Sequence, residues 1–301
     1  MQKVSFKNRT WNISGHLYFP ENFNQTQQYP AIVCVHSGSS VKEQTAGLYA
    51  SELAKKGFVT LAFDASYTGE SGGEPRFMED PTTRVEDIRC AVDFLTTLEY
   101  INNDRIGAMG VCAGGGYTAN ASISEKRIKA IATVVGTNTA RAFSEANPLE
   151  ILKAVGNQRT AEANGNEKLI NNWIPNSAHE AKQAGMEELD LLEAIDYYRT
   201  PRGEHHNSCN KLLFTSMSGL VMFDAFHLAE YYLTQPLLVI VGDKVGGFGS
   251  YRDGFDLYNK AASTNKKMHI VKNASHYDLY DQPNATNEAL EHLTAFFQSN
   301  I

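Results

Sequence analysis

No apolar run in this 301-residue chain approaches the roughly 20 residues that cross a bilayer; stretches such as "AIVCV" and "PLLVIV" are far shorter. The opening "MQKVSFKNRTWNISG" lacks the apolar segment of a secretory signal, so a cytoplasmic location is expected. Clusters of Lys and Arg are missing too. With 27 basic against 34 acidic residues the net charge is −7, which disfavours nucleic acid and anionic membrane as partners. Cysteine is scarce, and Cys34, Cys90, Cys112 and Cys209 show no paired spacing. They read as reduced thiols, neither a disulfide frame nor a zinc site. There is no internal repeat, no low-complexity tract and no linker rich in Pro, Gly and Ser. No cofactor and no metal is implied. The expected partners are a small-molecule substrate and, at most, a second copy of the chain as a homodimer.

What is present is a rhythm. "KVSFKNRTWNISGHLYFP" alternates as an antiparallel pair does. Then come short continuous apolar runs, "YPAIVCVH", "FVTLAFD", "DRIGAMGV" and "RIKAIATVVG", each suited to a strand buried on both faces. Helical patterns separate them, among them "TAGLYASELAKKG" and "DPTTRVEDIRCAVDFLTTLEYI". The rhythm stops over 139–233 and returns with "QPLLVIVGD", the helix "SYRDGFDLYNKAAST", the strand "KMHIVKNASH" and a last helix "NEALEHLTAFFQSN". The expectation is an α/β fold: a mostly parallel central sheet with helices on both faces, built from 1–138 and 234–301, with a helical cap inserted over 139–233.

One turn stands out. In "GAMGVCAGGGYT" a strand passes to a helix through Cys112, with Gly110 and Gly114 two residues to either side. That spacing suits a nucleophile elbow, whose tip is strained and whose flanks come too close for side chains. A phosphate-binding loop is the competing reading, but no Lys-Ser/Thr follows and the glycines are not spaced G-x-G-x-x-G. A helix that begins at Cys112 points free N–H groups at its sulfur, which is expected to lower the thiol pKa and to hold an oxyanion.

The segments "VHSGSS" (35–40), "FDASYTGESGGEPR" (63–76), "GVCAGGGY" (110–117), "PLLVIVGD" (236–243) and "ASHYDLYD" (274–281) resemble, in order and spacing, the strand-end loops of the α/β-hydrolase superfamily. The likeness is greatest to dienelactone-hydrolase-like and S15-peptidase-like bacterial hydrolases. It implies Cys112 as nucleophile, His276 as general base, and an oxyanion site made by the backbone N–H of Ala113 with that of Gly38 or its neighbour Ser37. His36 is expected to shape that loop. The acid has three candidates. The slot the family uses holds Val245, so Asp243 is the first candidate, with Asp253 and Asp256 as later ones that also suit a helix start.

The activity this implies is cleavage of a small ester, thioester or lactone through an acyl-cysteine. Acyl transfer from the same intermediate is one alternative, and a ligand receptor that has lost the chemistry is another. In the cap, "IDYYRT" and "FDAFHLAEYY" are candidates to line an apolar pocket, and Arg141, Arg202, His205 and His206 to meet a carboxylate.

Overall fold

The structure, a computed structural model, describes residues 1–145 and 147–301. Its strands are β1 (Gln2–Asn8), β2 (Trp11–Tyr18), β3 (Tyr29–Val35), β4 (Val59–Phe63), β5 (Ile101–Val111), β6 (Ile128–Val134), the two-residue pieces β7 (Ile170–Asn171) and β8 (Leu212–Leu213), β9 (Leu237–Gly242) and β10 (Lys266–Val271). Among the described residues one 8-stranded sheet runs β1-β2-β4-β3-β5-β6-β9-β10. The pairs β1–β2 and β2–β4 are antiparallel, and every later neighbour is parallel. The mostly parallel sheet expected from the apolar runs is therefore present.

Two helical layers cover it. In β3, Ala31, Val33 and Val35 face a core shared with α2 (Pro81–Thr96), α3 (Ala113–Ser124) and α10 (Ser250–Lys260). The alternate residues Ile32 and Cys34 face α1 (Thr45–Ala54) and α12 (Pro283–Asn300) on the other side. The same alternation in β9 puts Leu237, Val239 and Val241 on the first face and Leu238 and Ile240 on the second. Strands buried on both faces need apolar residues at every position, which is why these segments read as continuous runs. Asp80 starts α2 by accepting the N–H of Thr82 at 3.1 Å, with Pro81 in the first turn.

Between β6 and β9 lie α4 (Thr139–Ser144), α5 (Pro148–Ala163), α6 (Ala178–Gln183), α7 (Leu189–Arg199), α8 (Met217–Met222) and α9 (Ala229–Tyr232), with β7 and β8 paired as a short ladder. The stretch "AHEAKQAGMEELDLLEAIDYYRT" forms α6 and α7, divided where Gly185 takes a left-handed φ of 68° just past the end of α6. A satellite core of Val155, Leu212, Met217, Leu220 and Val221 holds this segment together. After β10 the chain makes one more short helix, α11 (Asp278–Asp281). Among the described residues no helix is long and apolar enough to cross a membrane, and Cys34, Cys90, Cys112 and Cys209 are all free thiols.

Candidate active site

Cys112 joins the end of β5 to the start of α3 with φ 55° and ψ −127°, a conformation costly for any residue with a side chain. Neighbouring bonds hold it there. Its N–H donates to Val134 O at 3.1 Å, and its carbonyl accepts the N–H groups of Gly115 and Thr137 at 2.9 and 3.0 Å. The glycines around it are required by space. A Cβ on Gly110 would overlap Gly114 O, and one on Gly114 would stand 2.5 Å from Val35 O.

The sulfur lies 4.0 Å from Thr137 Oγ1. The Ala113 N–H, the Thr137 hydroxyl and the Tyr280 hydroxyl all act to lower its pKa, but burial outweighs them and the thiol sits above its ordinary value. The field of the α3 N-terminus, expected to make a thiolate here, does not prevail. His276 shows the matching effect. It is buried, and desolvation pulls its pKa down to about 3. Both shifts favour the neutral thiol and the neutral imidazole in the resting site.

His276 follows β10 and precedes α11. Its Nε2 faces Tyr280 Oη at 3.4 Å, one helical turn on, and its Nδ1 faces Ser250 Oγ at 3.1 Å. The Tyr280 hydroxyl thus has the imidazole on one side and acts on the thiol from the other. None of the three candidate acids is the partner of Nδ1. Asp243 is exposed, and its N–H continues the β10 contact by donating to Val271 O at 3.2 Å. Asp253 is buried, but it accepts Asn138 N–H at 2.7 Å and pairs with Arg141 at 2.6 Å, while Asp256 also takes Arg141.

The reason is the path of the loop after β9. Gly242 is pressed on the His276 loop, where a Cβ would overlap Ala274 O, and the chain leaves outward with Val245 exposed. It is drawn back by α7. Glu188 accepts Gly247 N–H at 2.5 Å, and Asp190 accepts Phe248 N–H at 2.8 Å. The chain re-enters at the first residue of α10, which is Ser250. A hydroxyl therefore occupies the place expected for a carboxylate.

The loop after β3 lies across the thiol. A Cβ on Gly38 would stand 3.9 Å from Ala113 Cβ, so both expected oxyanion donors border the same space. Ala113, as the first residue of α3, has an N–H with no partner in its own helix. His36 braces the loop: its Nε2 accepts Ala65 N–H at 3.0 Å, its Nδ1–H donates to Ser37 O at 2.7 Å, and Arg84 donates to His36 O at 2.7 Å. The segment between β6 and β9 braces it too, with Tyr198 Oη 2.8 Å from Ser37 Oγ and Ser208 Oγ donating to Ser39 O at 2.6 Å. Below it, Asp64 accepts from Lys42 N at 2.8 Å and from Lys42 Nζ at 2.9 Å, which gives "FDASYTGESGG" a structural role.

Above Cys112 opens a cavity of about 240 Å³. Phe143, Trp173, Ile174, Leu191 and Phe248 make its walls apolar, and Tyr198, Tyr277 and Tyr280 turn toward it with the thiol. "IDYYRT" thus contributes Tyr198. "FDAFHLAEYY" does not contribute: Phe226 is in the core, and Tyr231 and Tyr232 are exposed. Arg202 pairs with Asp281 and Asp196, and His205 and His206 stack on one another away from this cavity, as does Arg141 on its aspartates. Sequence reasoning passed over Tyr280 and Ser250. Tyr280 had a legible signal, its position four residues after His276 inside "ASHYDLYD".

Comparison with known proteins follows the same lines. Residues 3–185 match the model of a family described as PET hydrolase-like. Protein YcjY of Escherichia coli is 44% identical over 310 residues, covering 99% of each chain. The solved structure of hypothetical protein PA2218 from Pseudomonas aeruginosa superposes with a TM-score of 0.87 at 34% identity, over 100% of this chain and 93% of that one. The α/β hydrolase GrgF from a Penicillium species shares the fold, with a TM-score of 0.83 at 18% identity over 99% and 98% of the two chains. A shorter match, 34% identical over 122 residues, links 40% of this chain to 37% of the thiohydrolase aneE of Aspergillus aculeatus. The chain belongs to the PET hydrolase-like family and has the α/β-hydrolase fold.

Proposed function

We propose that this protein is a hydrolase of small thioesters and esters with an apolar acyl group, acting through an acyl-Cys112 intermediate. The observation that carries this reading is the elbow itself: a thiol held at positive φ, at the first turn of a helix, opening into a walled apolar cavity of about 240 Å³. The similarity to a protein named as a thiohydrolase supports the thioester over the lactone.

The chemistry starts from two neutral groups. Cys112 Sγ attacks the acyl carbonyl while its proton passes toward His276 Nε2, with the Tyr280 hydroxyl accepting one proton as it donates its own. Burial holds the Tyr280 phenol well above its ordinary pKa, so it acts as a relay and is never left as a phenolate. The N–H groups of Ala113 and Gly38 receive the oxyanion. Collapse breaks the bond to the thiolate or alkoxide leaving group, which takes the proton from His276. Water then attacks the acyl-cysteine with His276 as base, and the carboxylic acid departs as Sγ regains its proton. Ser250, on Nδ1, orients the ring where an aspartate is usual.

The test is turnover of a series of short acyl thioesters and p-nitrophenyl esters. Hydrolysis that falls as the acyl chain outgrows the cavity is the expected result. One observation favours a receptor instead, the absence of a carboxylate on His276 among the described residues. If the whole series is inert while acyl compounds still raise the melting temperature, the receptor reading replaces this one.

Two further results are expected. Tyr280→Phe lowers kcat by about 100-fold or more with little change in KM, a loss on the scale of acid–base assistance. Asp243→Asn is nearly silent, whereas Ser250→Ala lowers kcat by about 10-fold through misorientation of the ring. Steady-state kinetics on the three variants checks both, and a large loss in Asp243→Asn counts against the assignment of Ser250.

A further inference from the structure

Outside the cavity above Cys112, His269, the fourth residue of the edge strand β10, meets Glu288 and His292 of α12. His269 Nε2 is 2.7 Å from Glu288 Oε1, and the His269 and His292 rings stack with centroids 3.6 Å apart. One ligand atom from each residue can be chosen so that all lie within 4.8 Å of one another. Glu288 and His292 are one helical turn apart, so their side chains share a face of α12 and turn together toward the strand. We propose that these residues form a binding site for a transition-metal dication of the Zn²⁺ type.

The donor set decides the class of ion. Two imidazoles and one carboxylate suit Zn²⁺, Ni²⁺ or Cu²⁺, whereas Ca²⁺ and Mg²⁺ want oxygen ligands throughout. Bonds of about 2.0–2.2 Å in a tetrahedron place ligand atoms a little over 3 Å apart, so the three side chains need only small rotations to close on an ion. Glu288 and His292 are exposed, and both histidines border an open recess, so an ion can enter and a water can fill the fourth position. Glu291 adds negative charge beside His292, with Lys267 opposing it.

The place in the chain gives the site a consequence. His269 precedes the 270–287 segment and the other two ligands follow it. That segment carries His276 and Tyr280. A bound ion would close this loop, tie the last helix to the edge strand and hold both ends of the segment fixed.

Zn²⁺ titration of the full chain by calorimetry, paired with thermal unfolding, tests the proposal. The expected result is one site that is retained in Cys112→Ala and lost in His292→Ala. His206→Ala is the control for the other exposed histidines. At Zn²⁺ about 100-fold above Kd the melting temperature of the wild type should rise by about 5 °C. His292 is exposed and its replacement does not threaten folding. A Zn²⁺ site and thermal shift that persist unchanged in His292→Ala overturn the proposal, as does the absence of any Zn²⁺ binding by the wild type.

Discussion

Replacing Cys112 by alanine is expected to reduce turnover by about 10⁴-fold or more while leaving the fold standing. The size of the loss follows from the mechanism, since no acyl intermediate can form without the sulfur. The intact fold follows from geometry. Alanine keeps the Cβ, the strained φ of 55° is imposed by backbone hydrogen bonds, and the sulfur's contact with Thr137 is a long 4.0 Å. Stability should therefore change by no more than about 1 kcal/mol. Cys112→Ser is expected to retain little, because a hydroxyl is a poorer nucleophile and the imidazole has no carboxylate behind it. Iodoacetamide should alkylate the wild-type thiol more slowly than free cysteine at pH 7. Its pKa is raised, so the thiolate fraction is smaller at neutral pH and grows only as the pH climbs into the alkaline range. Activity that survives in Cys112→Ala would sink the mechanism whatever the alkylation rate.

The raised pKa of the thiol is where the structure departs from the sequence pattern. The glycines of "GVCAGGGY" predict the elbow because each of Gly110 and Gly114 has no room for a Cβ. They also suggest an activated thiolate, because a helix begins at the sulfur. What they do not carry is the roof. Trp173 and Tyr198 come from the segment between β6 and β9 and Phe248 from the loop after β9, and they wall the cavity over the thiol. Desolvation then outweighs the helix terminus. The result depends on distant segments meeting in space, and no local pattern encodes it.

The strands were legible for the opposite reason. A parallel strand buried on both faces must be apolar throughout, so "VTLAF" and "LLVIVG" declare themselves without knowledge of their neighbours. His276 was legible from its place after the last strand. Its partner was not. An aspartate is sought by its charge, and Asp243 and Asp253 draw the eye, whereas Ser250 is one hydroxyl among many. It reaches Nδ1 only because Glu188 and Asp190 pull the loop back across the sheet edge. Asp190 is itself a sign of that function. Burial pushes its pKa up to about 6, and a Cβ on Gly246 would strike its carboxylate.

Gly114→Ala should damage the site heavily although it adds a single carbon and touches no reacting atom. The new Cβ would lie 2.5 Å from Val35 O and 2.6 Å from His36 O. Both are backbone atoms, and the His36 ring and Arg84 fix the second, so relief must come from moving α3 away from β3. The first turn of α3 carries Ala113, and the loop after β3 carries Gly38. Displacement of one against the other opens the space between these two proposed oxyanion donors. A shift of about 1 Å at such a site costs about 100-fold in rate, and overpacking costs about 1–3 kcal/mol in stability. Gly156→Ala is the internal contrast. It lies inside α5, where an added methyl would meet nothing within 4 Å, so the change should leave activity intact and stabilise the helix by about 1 kcal/mol. Chemical denaturation and initial rates on the two variants separate the effects. Full activity in Gly114→Ala would mean that the oxyanion donors are not Ala113 and Gly38.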